Sequence, residues 1–315
     1  MGGQRTLNRA ASRDPAIALY HECRSVATFP QSPGATLSKE PRPSWSRHVN
    51  TSRVGLYDPA RESSACGVGF ITRKDGRQEH DVIRRGDQAL CAIPHRGGMS
   101  SEGVGDGAGV SIDLSVEFFS AITGRSLGTG RFGVANLFMP TDPAQEPWAR
   151  QIVRDAIADQ GLEVLVERDV PVDNSVLRPA AVQYQLPIVQ WVFAAGLEQS
   201  RADVDRAANA ALLAIEQQAY GTPELAGLYP LSLSARTQVL KNRLNAGEVI
   251  RSFADLVDER QPVRALYFHP RFSTNTEPHP SMAQPFRMMA HNGELNTDRK
   301  NRLADDALAR ARPRR

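Results

Sequence analysis

Cys66 stands in the stretch ESSACGVGFITRKDG, residues 62 to 76, where it follows small and acidic residues and opens the first convincing strand. A cysteine is a nucleophile when a base takes its proton, and taken alone it is equally a small buried hydrophobe. Three further stretches supply partners. PHRGG gives Arg96, thirty residues after Cys66; HPRFSTNT gives Arg271 and Thr274; AHNGELNT gives Asn292 and Gly293. A guanidinium is a bidentate clamp for a carboxylate, and an Asn amide beside a Gly backbone N–H is a pair of oxyanion donors. Nucleophile, clamp and oxyanion hole together make an acyl-transfer site for an amino-acid amide. Singly, each arginine reads as a surface or salt-bridge residue and HNGE as an Asn-Gly turn, so the joint pattern carries the chemistry.

Other chemistries find less support. The segment GVGDGAGV has glycines at 103, 105, 107 and 109 but matches neither G-x-G-x-x-G nor the P-loop, and reads as a tight turn. Seven histidines include no H-E-x-x-H or H-x-x-E-H arrangement, so no metal site is expected. Cys23, Cys66 and Cys91 lack metal-ligand spacing and form no disulfide framework, which suits a reducing compartment and makes the cytoplasm the expected location. The longest apolar run, IVQWVFAAGL at 188 to 197, is interrupted by Gln190 and is too short to span a bilayer, so no membrane association is expected. Residues 66 to 297 carry 22 basic and 27 acidic side chains, a net of −5, while the basic surplus lies at the two ends without interleaved aromatics. That distribution gives no nucleic-acid groove.

These candidates need elements to position them. Residues 1 to 65, rich in Ser, Arg and Pro, show no sustained period and read as an irregular leader, with Asp14 and Glu22 arguing against a transit peptide. From Cys66 the pattern changes. CGVGFITR reads as a strand ending at the turn KDG, and HDVIRRGDQALCAI as a helix with Val82, Ile83, Ala89, Leu90 and Ile93 on one stripe, leaving Cys91 as a core residue. GAGVSIDL, RFGVANLFMP, LEVLVERDV and VRALYFHPRF read as further strands. DPAQEPWARQIVRDAIADQG reads as one helix with Asp142 as N-cap and Pro143 at the first position; DVDRAANAALLAIEQQAYG and NAGEVIRSFADLVD are also helices. Without a regular βαβ rhythm, a doubly wound parallel sheet is not compelled.

The run GLYDPARESSACGVGF, with HRGG, GDGAG, VPVDNSV, SLSARTQVLKN, HPRFSTNTEP and QPFRMMAHNGELNT, resembles the glutaminase domain of the glutamate synthase large subunit, a class II, N-terminal nucleophile glutamine amidotransferase. The resemblance runs in register from about residue 55 to 297. It implies an α+β fold, the four-layer αββα sandwich of N-terminal nucleophile hydrolases. It also implies that residues 1 to 65 are a propeptide removed at the Ala65–Cys66 bond, and that residues 66 to 315 form the amidotransferase domain. A freed α-amine, with an ordinary pKa of about 7.7 to 8.0, takes the thiol proton near neutral pH, so one residue supplies nucleophile and base. Cys66 would attack the side-chain amide of L-glutamine, with Asn292 and Gly293 holding the oxyanion. Arg271 would hold the substrate carboxylate with Thr274 beside it, and Arg96 would support the nucleophile or substrate. His269 and His291, which flank the motifs, are expected to be structural.

Family members continue well past the position of this C-terminus, where they carry an aspartate for the substrate α-amino group, so the sandwich is expected to be incomplete at its C-terminal end. No cofactor is expected in this chain; FMN and an iron–sulfur cluster belong to the synthase region or to a separate synthase chain that receives the ammonia. Two other functions stay open on the residues: a catalytically inactive remnant or interaction module of the same lineage, and an N-terminal-nucleophile amidase with a different amide substrate.

Overall fold

The computed structural model of the chain describes residues 67–94, 97–196 and 199–271, together with positions 279, 281, 285 and 307. Eight strands within these form two four-stranded antiparallel sheets, an α+β architecture as expected. Sheet one holds β1 (Gly69–Thr72), β8 (Ala265–His269), β2 (Ala108–Asp113) and β7 (Thr237–Asn242), in that order. Sheet two holds β4 (Leu162–Asp169), β5 (Ile188–Ala195), β3 (Phe132–Phe138) and β6 (Tyr229–Ser234). Each of β2 and β3 is flanked by two partners, and both are buried along nearly their whole length.

Helix α1 (Asp81–Ala92) turns Val82, Ile83 and Leu90 inward, the stripe that the sequence predicts, and its Gly86 sits flush on the Leu266 side chain of β8. A short helix α2 (Val116–Thr123), capped by Ser115, packs Phe118 and Phe119 against Phe132, Val134 and Val192 of sheet two. The opposite face of sheet two is covered by α3 (Glu146–Ala158) and the long α5 (Arg201–Gly221), which bury Ala149, Val153, Ile157, Val204, Leu212 and Ile215 around Trp191 and Phe193. A single turn, α4 (Pro179–Val182), lies between β4 and β5.

Two expected helices are divided. Asp142 does cap a helical start, accepting from Ala144 N at 3.0 Å, but residues 143–145 make a 3₁₀ turn and α3 begins only at Glu146. Pro147 is the cause: it has no N–H to give the carbonyl of residue 143, so it fits the first turn of a new helix but not the second turn of an old one. The segment 245–258 breaks at Phe253 into α6 (Val249–Ser252) and α7 (Ala254–Val257). Phe253 adopts an extended backbone, bridges Val172 and is 1% exposed, so tertiary packing overrides helix continuity. The β6–β7 hairpin and α2 are further elements that periodicity did not single out.

Between the sheets runs a polar seam. Gln190 Nε2 donates to Asn136 Oδ1 at 2.9 Å and Asn136 Nδ2 donates to the Val239 carbonyl at 3.1 Å, while Arg168 donates to Gln190 Oε1 and to Asp255. Asn136 and Gln190 have no exposed surface, and such groups are tolerated only because they satisfy one another.

Candidate active site

Antiparallel pairing gathers four chain ends at one end of sheet one. Gly69 opposes Phe268, Gly109 opposes His269 and Ala108 opposes Asn242. The chain entering β1, the chain leaving β8, the chain entering β2 and the chain leaving β7 therefore lie side by side. Gly67, the first described residue at the β1 entry, is buried and is one peptide bond from Cys66, about 3.8 Å between Cα atoms. A Cβ on Gly69 would lie 2.3 Å from the Phe268 ring, so the glycine lets β1 close flush on β8.

The loop between α1 and β2 folds back on itself before β2 begins. Asp106 N donates to Gly98 O at 2.9 Å, Met99 bridges Gly105, and Ser100 N donates to Val104 O at 2.9 Å. Gly103 closes the turn with φ +83°, a conformation that costs a side-chain-bearing residue. The expected tight turn is thus present. Gly98 has a separate duty: a Cβ there would sit 1.4 Å from Asp106 Oδ2. A Cβ on Gly97 would come within 3.3 Å of the Pro270 carbonyl oxygen, so residue 97 lies close beside Pro270. These neighbours put Gly97, Gly98, Asp106 and Pro270 in one place.

Arg271 leaves β8 there. Its backbone N–H donates to His269 Nδ1 at 3.2 Å, and its Nε lies 3.8 Å from Asp106 Oδ2. The Nε atom is buried and makes no hydrogen bond, yet the side chain as a whole is 37% exposed. One side of the guanidinium thus faces the Asp106 carboxylate while part of the group reaches solvent. His269 is 5% exposed with Nδ1 occupied by the main chain, which fits the structural role expected of it.

Behind the loop lies a buried scaffold. Asn245 Nδ2 donates to Gly103 O at 3.2 Å and to Glu248 Oε1 at 2.9 Å, and Asn245 N donates to Glu248 Oε2 at 2.7 Å. Burial pushes the Glu248 carboxyl above its ordinary pKa, with the Asn245 hydrogen bonds and the Arg178 charge pulling the other way. Arg243 donates to Gly105 O at 3.4 Å and stacks its guanidinium 4.4 Å from the Tyr184 ring centroid. Lys241 is fully buried opposite Gly109, and its Nζ donates to Ser281 O at 3.2 Å.

Of the residues singled out by sequence, Arg271 is described and stands at this end of the sheet. Cys66, Arg96, Thr274, Asn292 and Gly293 lie outside the described residues, as does His291. Asp106 and the Asn245–Glu248 pair were not singled out, although Asp106 lies inside the quoted glycine-rich segment. Cys91 is 7% exposed, as a core residue should be, but it is disulfide-bonded, which corrects the expectation of no disulfide and removes the compartment inference drawn from it. No helix among the described residues is long and apolar enough to cross a membrane, and no three His, Cys, Asp or Glu side chains among them cluster as a metal site would require.

Two antiparallel sheets flanked by helices, with the strand beside Cys66 opening at the same end as Arg271, are the architecture of an N-terminal nucleophile hydrolase domain. Residues 66–312 match the family of class-II glutamine amidotransferases, and the chain belongs to that family. It is 33% identical over 296 residues to the chloroplastic ferredoxin-dependent glutamate synthase of Spinacia oleracea, covering 91% of this chain and 18% of that protein. It is 32% identical to the NADH glutamate synthase of Saccharomyces cerevisiae, covering 82% and 12% respectively. With the large chain of the NADPH glutamate synthase of Azospirillum brasilense the identity is 34%, covering 79% and 17%. The chain therefore spans less than a fifth of the length of these relatives.

Proposed function

We propose that the chain is a glutaminase of the glutamate synthase type, hydrolysing L-glutamine to glutamate and ammonia through a Cys66 thioester. The observation that carries this is the convergence of the β1 entry, one bond from Cys66, with Arg271 and the PHRGG and GVGDGAGV loops at one end of sheet one. A family match that begins at residue 66 supports it.

In this mechanism the α-amine of Cys66, freed by cleavage of the Ala65–Cys66 bond, accepts the thiol proton. The thiolate attacks the substrate side-chain amide carbon. Asn292 Nδ2 and Gly293 N–H hold the oxyanion, an interaction whose loss typically costs about 2.7 to 4 kcal/mol of transition-state stabilisation. The C–N bond breaks, the proton passes to the leaving nitrogen, and ammonia departs; water then cleaves the thioester to release glutamate and restore the thiol. Arg271 holds the α-carboxylate, Thr274 lies beside it, and Arg96 supports the nucleophile or substrate. The ammonia goes to a synthase region or a separate synthase chain, which supplies the flavin and iron–sulfur chemistry.

The test is the intact mass of the purified chain, followed by glutamate release from L-glutamine with dithiothreitol present. The expected result is a species starting at Cys66 that releases glutamate, with neither seen in Cys66→Ala. Equal glutamate release by wild type and Cys66→Ala would sink the proposal.

A further inference from the structure

The geometry points to Asp106 as a positioning residue for Arg271, an inference that rests on the glutaminase reading and deepens it. Asp106 is the carboxylate that faces the buried Nε of Arg271, at 3.8 Å, and that Nε has no hydrogen-bond partner. Such a separation is too long for a hydrogen bond and short enough for an ion pair, so the carboxylate orients the guanidinium without consuming one of its donors. A fork held on its Nε side keeps its Nη edge available for bidentate contact with a substrate carboxylate.

Several features fix Asp106 itself. Its N–H is held by Gly98 O at 2.9 Å, and its carboxylate occupies the space that a side chain at residue 98 would take. The loop behind it is pinned at Gly103 O by Asn245 and at Gly105 O by Arg243. A carboxylate placed against Gly98 on a loop anchored at two carbonyls is built to stay in one position while ligand comes and goes. Asp106 does not touch the reacting amide; it acts through Arg271 and so on the α-carboxylate end of the substrate.

The test compares two ligands that are not turned over: L-glutamate, the product, and 4-aminobutanoate, which is the same molecule without its α-carboxylate. Calorimetric titration of the full chain should show wild type preferring L-glutamate. Asp106→Asn should weaken L-glutamate about tenfold and leave 4-aminobutanoate unchanged, and Asp106→Glu should recover most of the loss. In an Arg271→Ala background the Asp106→Asn change should have no further effect, because its route to the ligand is gone. Equal weakening of both ligands, or the same loss with and without Arg271, would mean that Asp106 is only structural and would overturn the assignment. A wild-type preference that Asp106→Asn leaves intact overturns it too, with the glutaminase reading standing. No wild-type preference overturns the Arg271 role and this inference together.

Discussion

Gly98 and Asp106 make a matched pair in which one residue's missing side chain is the other's place. Gly98→Ala would put a Cβ 1.4 Å from Asp106 Oδ2, so the carboxylate must leave. The expected outcome is a higher KM for L-glutamine with kcat little changed, and a stability loss of about 1–3 kcal/mol in urea unfolding, the usual cost of overpacking. Glu248 gives a pH prediction. Its carboxyl titrates higher in the folded chain than in the unfolded one because it is buried, so the native state holds its proton longer. Stability from this group is therefore greatest below the ordinary carboxylate range and falls as pH rises through the folded value. Comparing wild type with Glu248→Gln in urea between pH 4 and 7 should show the wild type losing ground as pH increases; a pH-independent difference would contradict it. Of this site, Arg271 was legible because its type and its neighbours Pro270 and Thr274 carry a pattern. Asp106 was not, since an acid between glycines reads as a turn residue and its partner lies 165 positions away in the sequence.

Among the elements, α5 shows how a local signal survives in the fold. Ser200 Oγ accepts from Asp203 N and the Asp203 carboxylate accepts from Ser200 N at 2.9 Å, a capping box that anchors a helix of 21 residues. Hydrogen bonds from Ser200 hold the Asp203 carboxyl below its ordinary pKa. Ser200→Ala should cost about 1 kcal/mol near neutral pH, read from thermal or urea unfolding. The difference should shrink in acid as Asp203 is protonated, since a depressed carboxylate stabilises only above its folded pKa. Boundaries were less legible than elements. Asp142 and Pro143 signalled a helix start correctly, but the competing start at Pro147 could be weighed only by asking which carbonyl lost its donor. Phe253 falls inside the expected helix NAGEVIRSFADLVD, and its bridge to Val172 comes from a loop some eighty residues earlier. Pro230 brings no N–H to β6, and β6 lies at the edge of sheet two, where a missing donor is tolerated.

For the molecule as a whole, the two-sheet α+β architecture was legible from the family resemblance, the strand and helix pattern alone having only failed to compel a doubly wound sheet, whereas the polar seam between the sheets was not legible. Gln190 interrupts an apolar run and reads as a reason against a membrane span; in the fold it joins Asn136 of one sheet-two strand to Arg168 of another. Burial ranks two ion pairs, one in the seam and one at the surface. Asp255 is 7% exposed and holds Arg168, which is 20% exposed, so Asp255→Ala strands a largely buried guanidinium and should cost about 3 kcal/mol in urea unfolding. Asp205 pairs with Arg236, which is 76% exposed, so Asp205→Ala should cost far less. Equal costs would show that the seam is wetter than its burial indicates.

The strand order of sheet one also sets a timetable. β1 sits at an edge and pairs with β8 alone, and the residues that face each other, Gly69 with Phe268 and Thr72 with Ala265, are nearly two hundred positions apart. On a ribosome adding about 5–20 residues per second, β1 waits roughly 10 to 40 seconds after its own synthesis before its partner exists. A newborn chain therefore cannot assemble the end of the sheet beside Cys66, and any maturation that depends on that end is held back until translation has passed β8.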